Sequence, residues 1–225
     1  MSVILASVVE RLNSLAVVVG HVTQRPSHRL FAAVYDTATR PLERRLDRHR
    51  SYLARGLDGD VLELGAGTGA MLPYLAESDA AVHAVEPDPH MRKRARRHAE
   101  RLGVEVELRS DLAESLSYAD DRFDSVVSSL VFCTVDDPDA ALEEVARVLR
   151  SGGELSFLEH VGDDGLTRRA QEVATPVWKH CAGGCRLDRD TVESFRAHTS
   201  FETVETDRVE RLPLVPVVRG RLERA

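Results

Sequence analysis

The chain has 225 residues, enough for one domain with an appendage and a full hydrophobic core but cramped for two independent domains. Apolar residues at 43% and charged residues at 30% mark a folded soluble chain, and a net charge of -7 argues against general nucleic-acid binding, which needs excess Lys and Arg against phosphate. Cys133, Cys181 and Cys185 form an odd set with no secretory leader, which favours free thiols in a reducing cytoplasm over a disulfide framework.

Ile4, Val8, Leu12, Leu15, Val19 and Val22 recur at helical spacing, so residues 3–22 are expected to form an amphipathic helix. Glu10, Arg11 and Asn13 interrupt the run, and a membrane-spanning helix needs about 20 apolar residues, so this one does not span. Packing on the body, on a partner chain in a homodimer, or at a membrane surface as a peripheral contact all stay open for residues 3–22. Arg25-Pro26-Ser27 ends the pattern, and a second helical region is expected from about 28 to 55, interrupted near Pro41. Residues 1–57 therefore read as an N-terminal helical cap, and residues 58–225 as one structural unit.

From Asp60 onward, short β-branched runs alternate with amphipathic ones: "DVLELG" as strand, 70–77 as helix, "AAVHAVEP" as strand, 88–102 as helix, "VEVELRSD" and "FDSVVSSL" as strands, 137–150 as helix, "GELSFLEH" as strand. Regular alternation implies parallel strands joined by right-handed crossovers, an α/β fold with a Rossmann-like, mostly parallel sheet. The segment "FETVETDRVERLPLVPVVRGRLE" reads instead as a C-terminal antiparallel strand pair near one sheet edge, with Pro213 and Pro216 suited to an edge or to the connecting loop. Seven strands result.

The first strand runs into Gly65-Ala66-Gly67-Thr68-Gly69. Without Gly-Lys-Ser/Thr at its end this is not a phosphate loop, while the dinucleotide fingerprint tolerates Ala70 at its third position and stays open, along with an NAD(P)-dependent oxidoreductase. The second strand ends in Glu86, 21 residues after Gly65, where a carboxylate can accept from both ribose hydroxyls of an adenosine ligand. Asp111, at the end of the third strand, is placed to accept from an adenine amine or else is a solvated loop carboxylate.

In order and spacing, "VLELGAGTGAMLPYL", "VEPDPHM", "RSDLAESLSYADDRFDSVVSSLVF" and "ALEEVARVLRSGGELSFLEHV" resemble the motifs of class I S-adenosylmethionine-dependent methyltransferases. The resemblance implies S-adenosyl-L-methionine as cofactor: Glu63, Gly65, Ala66, Gly67 and Gly69 at its methionine end, Glu86 on the ribose, Pro87, Met91, Asp111 and Leu112 around the adenine. Ser129 and Leu130 would lie near the methyl, and Tyr35, in the cap, over the methionine end. Methyl transfer to a reactive nucleophile rests largely on positioning, so the lack of a catalytic triad is no objection.

"SSLVFCTVDDP", "LSFLEHV" and "PVWKHCAGGCRLDRDT" further resemble the methyltransferase-like thiol S-methyltransferase group and, more loosely, quinone and phospholipid methyltransferases. A small, fairly apolar acceptor is implied, as thiol, lipid amine or quinone; a catalytically idle cofactor-binding scaffold is the other reading. His160, paired with Glu159, serves either as general base or as a structural histidine, since its ordinary pKa lies near neutrality. Phe132, Trp178 and Cys185 are candidates for the acceptor pocket. Cys181, Cys185 and His180 lack partners for a four-ligand zinc site, so no metal is expected.

Overall fold

The computed structural model describes residues 44–212 and 215–225. The expected helix over 3–22, Tyr35, most of the proposed cap and Pro213 lie outside the described residues.

Helix α1 spans 44–53 and leads into β1 (Asp60–Leu64). Then follow α2 (Leu72–Leu75), β2 (Ala81–Val85), α3 (Pro89–Leu102), β3 (Val106–Arg109) and β4 (Phe123–Ser129). The chain continues through α4 (Pro138–Val148), β5 (Leu149–His160), α5 (Gly165–Cys181), α6 (Thr191–Ala197), β6 (Phe201–Leu212) and β7 (Val215–Arg224). The seven strands form one sheet in the order β3-β2-β1-β4-β5-β7-β6. The first five named are parallel, and β7 runs antiparallel to both β5 and β6. Strand order reverses between β1 and β4, which is where such sheets open a crevice at their carboxyl ends.

Alternation along each strand sorts side chains between the two faces. Leu62 and Leu64 of β1, with Val126, Leu155 and Phe157, meet Ala141, Leu142 and Val145 of α4 and Phe195 of α6 on one face. On the other, Val61, Val82, Val127, Leu158 and Val217 meet Leu46 and Leu53 of α1 and Leu75 of α2. Helix α3 adds Ala95 against Ala84 and Ala66, small residues that let helix, sheet and glycine loop approach closely. Asp88 caps α3 by accepting from the amides of His90 and Met91 at 2.7 and 2.9 Å, and Gly103, at φ 68°, closes it.

Three expectations shift locally. The helix expected over 70–77 is the single turn of α2, because residues 65–71 are taken by the glycine loop and its turns, with Gly69 N–H on Ala66 O at 2.7 Å. The helix expected over 137–150 ends at Val148, and β5 starts four residues early, because Leu149 is extended and pairs with Phe123 across a bulge. Pro216 lies in β7, an inner strand, but beside the hairpin end and past the last β5 pairing, His160 with Val217, so its missing N–H breaks no β5 ladder bond. Among the described residues no helix is long and apolar enough to cross a membrane.

Phe195 fixes α6 to the sheet, with ring centroids 4.8 Å from Phe132 and 4.7 Å from Phe157, both edge-on. Phe195→Ala is expected to lower stability by about 3–5 kcal/mol in urea denaturation. A loss under about 1 kcal/mol would contradict this packing.

Candidate functional site

The glycine loop lies at the point where strand order reverses, and each of its glycines is used. Gly65, Gly67 and Gly69 take φ of 60°, 55° and 92°, a region costly to other residues. A Cβ on Gly65 would meet Val131 Cγ2 at 2.7 Å, and one on Gly69 would meet Leu72 Cδ1 at 2.7 Å, whereas one on Gly67 would meet nothing closer than Gly65 O at 3.9 Å. Glu86 braces the loop from β2: one oxygen accepts from Gly67 N–H and the other from Asp88 N–H, both at 2.8 Å. Burial raises its pKa, and the two amides oppose that. Each oxygen keeps a lone pair for a ribose hydroxyl.

Glu63, beneath the loop, is buried, and its Oε2 has no hydrogen-bond partner among the described residues. Desolvation pushes its carboxyl up to about 8, against the pull of Arg50 and with the push of Glu86. A buried carboxylate oxygen without a partner beside a glycine cradle fits a ligand that brings its own cation or N–H donor, as the amino group of S-adenosylmethionine does. Arg50, reaching in from α1, is also buried and donates from Nε to Ser129 Oγ at 3.3 Å. Nothing in the sequence reading nominated it. A lone arginine in an amphipathic helix gives no signal until the helix is laid against β1 and β4.

Past β3, Asp111 accepts from Ser117 through its backbone amide at 2.8 Å and hydroxyl at 2.6 Å, both on Oδ2. Leu112 is 44% exposed beside it, an apolar surface suited to a ring face. Met91 is buried on α3, and the carbonyl oxygen of Pro87 accepts from Arg92 Nη1 at 3.0 Å.

Across the reversal point, Glu159 has a role the sequence did not suggest. It is fully buried, and its Oε1 accepts from Val131 N–H at 2.8 Å, Phe132 N–H at 3.0 Å and Ser128 Oγ at 3.0 Å, while Oε2 takes the long contact from Cys133 N–H at 3.4 Å. Burial raises its pKa and these donors pull it back. The carboxylate shapes the loop after β4, where Leu130 is held at φ 61°, unusual for a branched residue. As a proton carrier Glu159 has no free face toward an acceptor.

His160, ending β5, is buried and places Nε2 2.9 Å from Cys185 Sγ. Its Nδ1 is buried without a partner among the described residues. Cys133 joins them, and one ligand atom from each of the three residues lies within 4.8 Å of the others. Cys133, His160, Trp178 Nε1 at 3.2 Å and the positive potential of the imidazole all favour the Cys185 thiolate, holding it down to about 4, led by the Cys133 hydrogen bond. Cys185 is thus partnered by Cys133 and His160, whereas the sequence had set it beside Cys181 and His180; the Cys181 side chain lies outside the described residues. Phe132 proves fully buried against Phe195, which makes it core rather than pocket wall. Trp178 is 45% exposed and reaches the cluster through its indole N–H.

Removing Glu159 would strand the buried amides of Val131 and Phe132. Glu159→Ala is expected to cost about 2–5 kcal/mol in chemical denaturation, with faster amide exchange at those two residues and a smaller loss for Glu159→Gln. Unchanged exchange at Val131 and Phe132 would show that the loop stands without the carboxylate.

A methyltransferase-domain family model matches residues 62–157. A thiol S-methyltransferase of Homo sapiens is 34% identical over 180 residues, spanning 74% of this chain and 72% of that protein. A phosphatidylethanolamine N-methyltransferase of Cereibacter sphaeroides is 33% identical over 153 residues, 67% of this chain and 75% of that protein. Among solved structures, a geranyl diphosphate C-methyltransferase of Streptomyces coelicolor, in complex with S-adenosyl-L-homocysteine, matches with a TM-score of 0.66 over 80% of this chain and 76% of its own, a likeness of fold at 13% identity. The glycine cradle, the braced Glu86 and these relatives agree: the chain belongs to the class I S-adenosylmethionine-dependent methyltransferases.

Proposed function

We propose that the chain methylates the sulfur of a small, fairly apolar thiol. The observation that carries this is the gathering of Cys133, His160 and Cys185 at the ends of β4 and β5, beside the loop that touches Gly65. A cluster rich in sulfur and imidazole suits a soft acceptor that must lose a proton before it becomes a good nucleophile. The thiol S-methyltransferase among the relatives supports the same acceptor class. A lipid amine is the second reading, favoured by the phosphatidylethanolamine N-methyltransferase. Such an acceptor would have less use for a sulfur-rich cluster.

Glu63, the glycine loop, Glu86, Asp111 and Leu112 would hold S-adenosylmethionine, which supplies an electrophilic sulfonium methyl when bound. Ser129 ends β4 and Leu130 follows it on the acceptor side, with Ser129 fixed by Arg50. Deprotonation of the acceptor is assigned to the Cys133–His160–Cys185 cluster as a unit, with Trp178 at its exposed rim. Positioning supplies most of the remaining acceleration.

Two measurements check this. With a thiol acceptor at saturation, His160→Ala should lower turnover by at least about 10²-fold, the lower range for assisted proton transfer. Unchanged turnover would remove the cluster from the mechanism, and activity on amines alone would move the assignment to the second reading. The other concerns Glu63, whose raised pKa keeps it largely protonated at pH 7 in the free protein. A cofactor ammonium beside it favours the carboxylate, so binding should release a proton and tighten as pH rises from 6 toward 8, by at most tenfold per unit. For the same reason this group makes the ligand-free fold less stable as pH climbs from its ordinary range through about 8. Calorimetry of S-adenosylhomocysteine in buffers of different ionisation enthalpy should show the release in the native chain and its loss in Glu63→Gln; equal proton release in both would contradict the role of Glu63.

A further inference from the structure

The Cys133–His160–Cys185 cluster has the make-up of a metal site as well as of a proton relay. The two sulfurs and a ring nitrogen lie within 4.8 Å of one another. A tetrahedral zinc ion, with bonds of about 2.3 Å to sulfur and 2.0–2.1 Å to nitrogen, sets its ligand atoms roughly 3.5–3.8 Å apart, so closure on an ion needs shifts of about 1 Å or less. We infer that Cys133, His160 and Cys185 form a zinc site with three protein ligands, whose fourth position takes the sulfur of the acceptor thiol. This rests on the thiol methylation proposed above and says how the acceptor loses its proton.

Four observations carry it. The donor set is two sulfurs and one imidazole, which suits zinc or another soft cation and not the hard ions that prefer oxygen. Glu159, the nearest carboxylate in sequence, is committed to the loop amides, so among the described residues the cluster stops at three donors, the pattern of zinc sites that keep one position for substrate. The segments that carry the ligands are tied to one another. His160 ends β5, Arg186 N–H binds Cys133 O at 2.9 Å, and Arg189 Nη1 binds Phe132 O at 2.6 Å and Val135 O at 2.7 Å. Finally, Trp178 Nε1 donates to Cys185 Sγ at 3.2 Å, an outer contact of the kind that orients a ligating thiolate.

With the ion in place, His160 ligates through Nε2 and keeps its ring proton on Nδ1, so it holds the metal instead of removing the proton itself. The acceptor R–SH releases its proton to solvent as its sulfur binds the ion. A lone pair of that sulfur then forms the new S–CH₃ bond while the electron pair of the donor's C–S⁺ bond returns to the donor sulfur. A neutral thioether and S-adenosylhomocysteine result, and the thioether, having lost the thiolate's charge, binds the ion more weakly.

The test uses the full chain, expressed with zinc in the medium and purified under reducing conditions without chelator. Mass spectrometry of metal content should find about one zinc per chain, falling below a tenth of that in Cys133→Ser and Cys185→Ser and unchanged in Cys181→Ser. Cobalt substitution should give a thiolate charge-transfer band that changes when a thiol acceptor is added. Calorimetry with S-adenosylhomocysteine on every variant checks that the chain is folded and binds cofactor, independently of its metal content. If the serine variants fail that control, titration of zinc into metal-free native chain decides alone. Cofactor binding with no zinc uptake, zinc retained by both serine variants, or a Cys133–Cys185 disulfide in place of the ion would overturn the metal site and leave the methyltransferase reading standing. Loss of cofactor binding in the native chain would instead strike that reading.

Discussion

One buried carboxylate, that of Glu159, organises the turn after β4 at the carboxyl end of the sheet. Glu159 and His160 are neighbours on β5, so their side chains leave opposite faces of the strand. Glu159 gathers the amides of the turn after β4 and thereby sets Cys133, while His160 reaches Cys185. The cost of burying that carboxylate is offset by four donors from three consecutive amides and one hydroxyl. The same turn forces Leu130 to positive φ, and strain of this kind persists only where surrounding bonds over-determine it.

The glycine loop and the turn after β4 are in direct contact. Val131, held through its amide by Glu159, presses its side chain toward Gly65 so closely that a methyl group there would clash. Gly65 thus serves two ends at once: positive φ for the cradle and room for the loop after β4. Arg50 adds a second tie, binding Ser129 from a helix that also packs on β1 and feels the charge of Glu63. The two sides of the reversal point between β1 and β4 are therefore tied by direct contacts.

Much of this was legible before any coordinates. The alternation of β-branched and amphipathic runs carries the parallel part of the sheet, and the two long polar-edged segments carry the antiparallel pair. Gly65, Gly67, Gly69 and Glu86 announce a cradle because positive φ and a strand-end acid leave marks in residue type. What stayed hidden depends on long-range contact. Glu159 reads as the catalytic partner of His160 until the amides it holds are seen, since backbone donors have no sequence signature. Cys133 and Cys185 are 52 residues apart in the chain, and nothing short of the sheet topology places them on the same imidazole. The spacing Cys181-x₃-Cys185 is the more visible pattern in the chain, and it gives no hint of Cys133.

The central claim is that methyl donor and sulfur-rich cluster meet across the turn shaped by Glu159. A crystal structure with S-adenosylhomocysteine tests it most directly. The account predicts ribose hydroxyls on Glu86, the amino group beside Glu63, and the thioether sulfur turned toward Cys133, His160 and Cys185 with an unobstructed path between. A sulfur turned away from those three residues, or walled off from them by packed side chains, would contradict it.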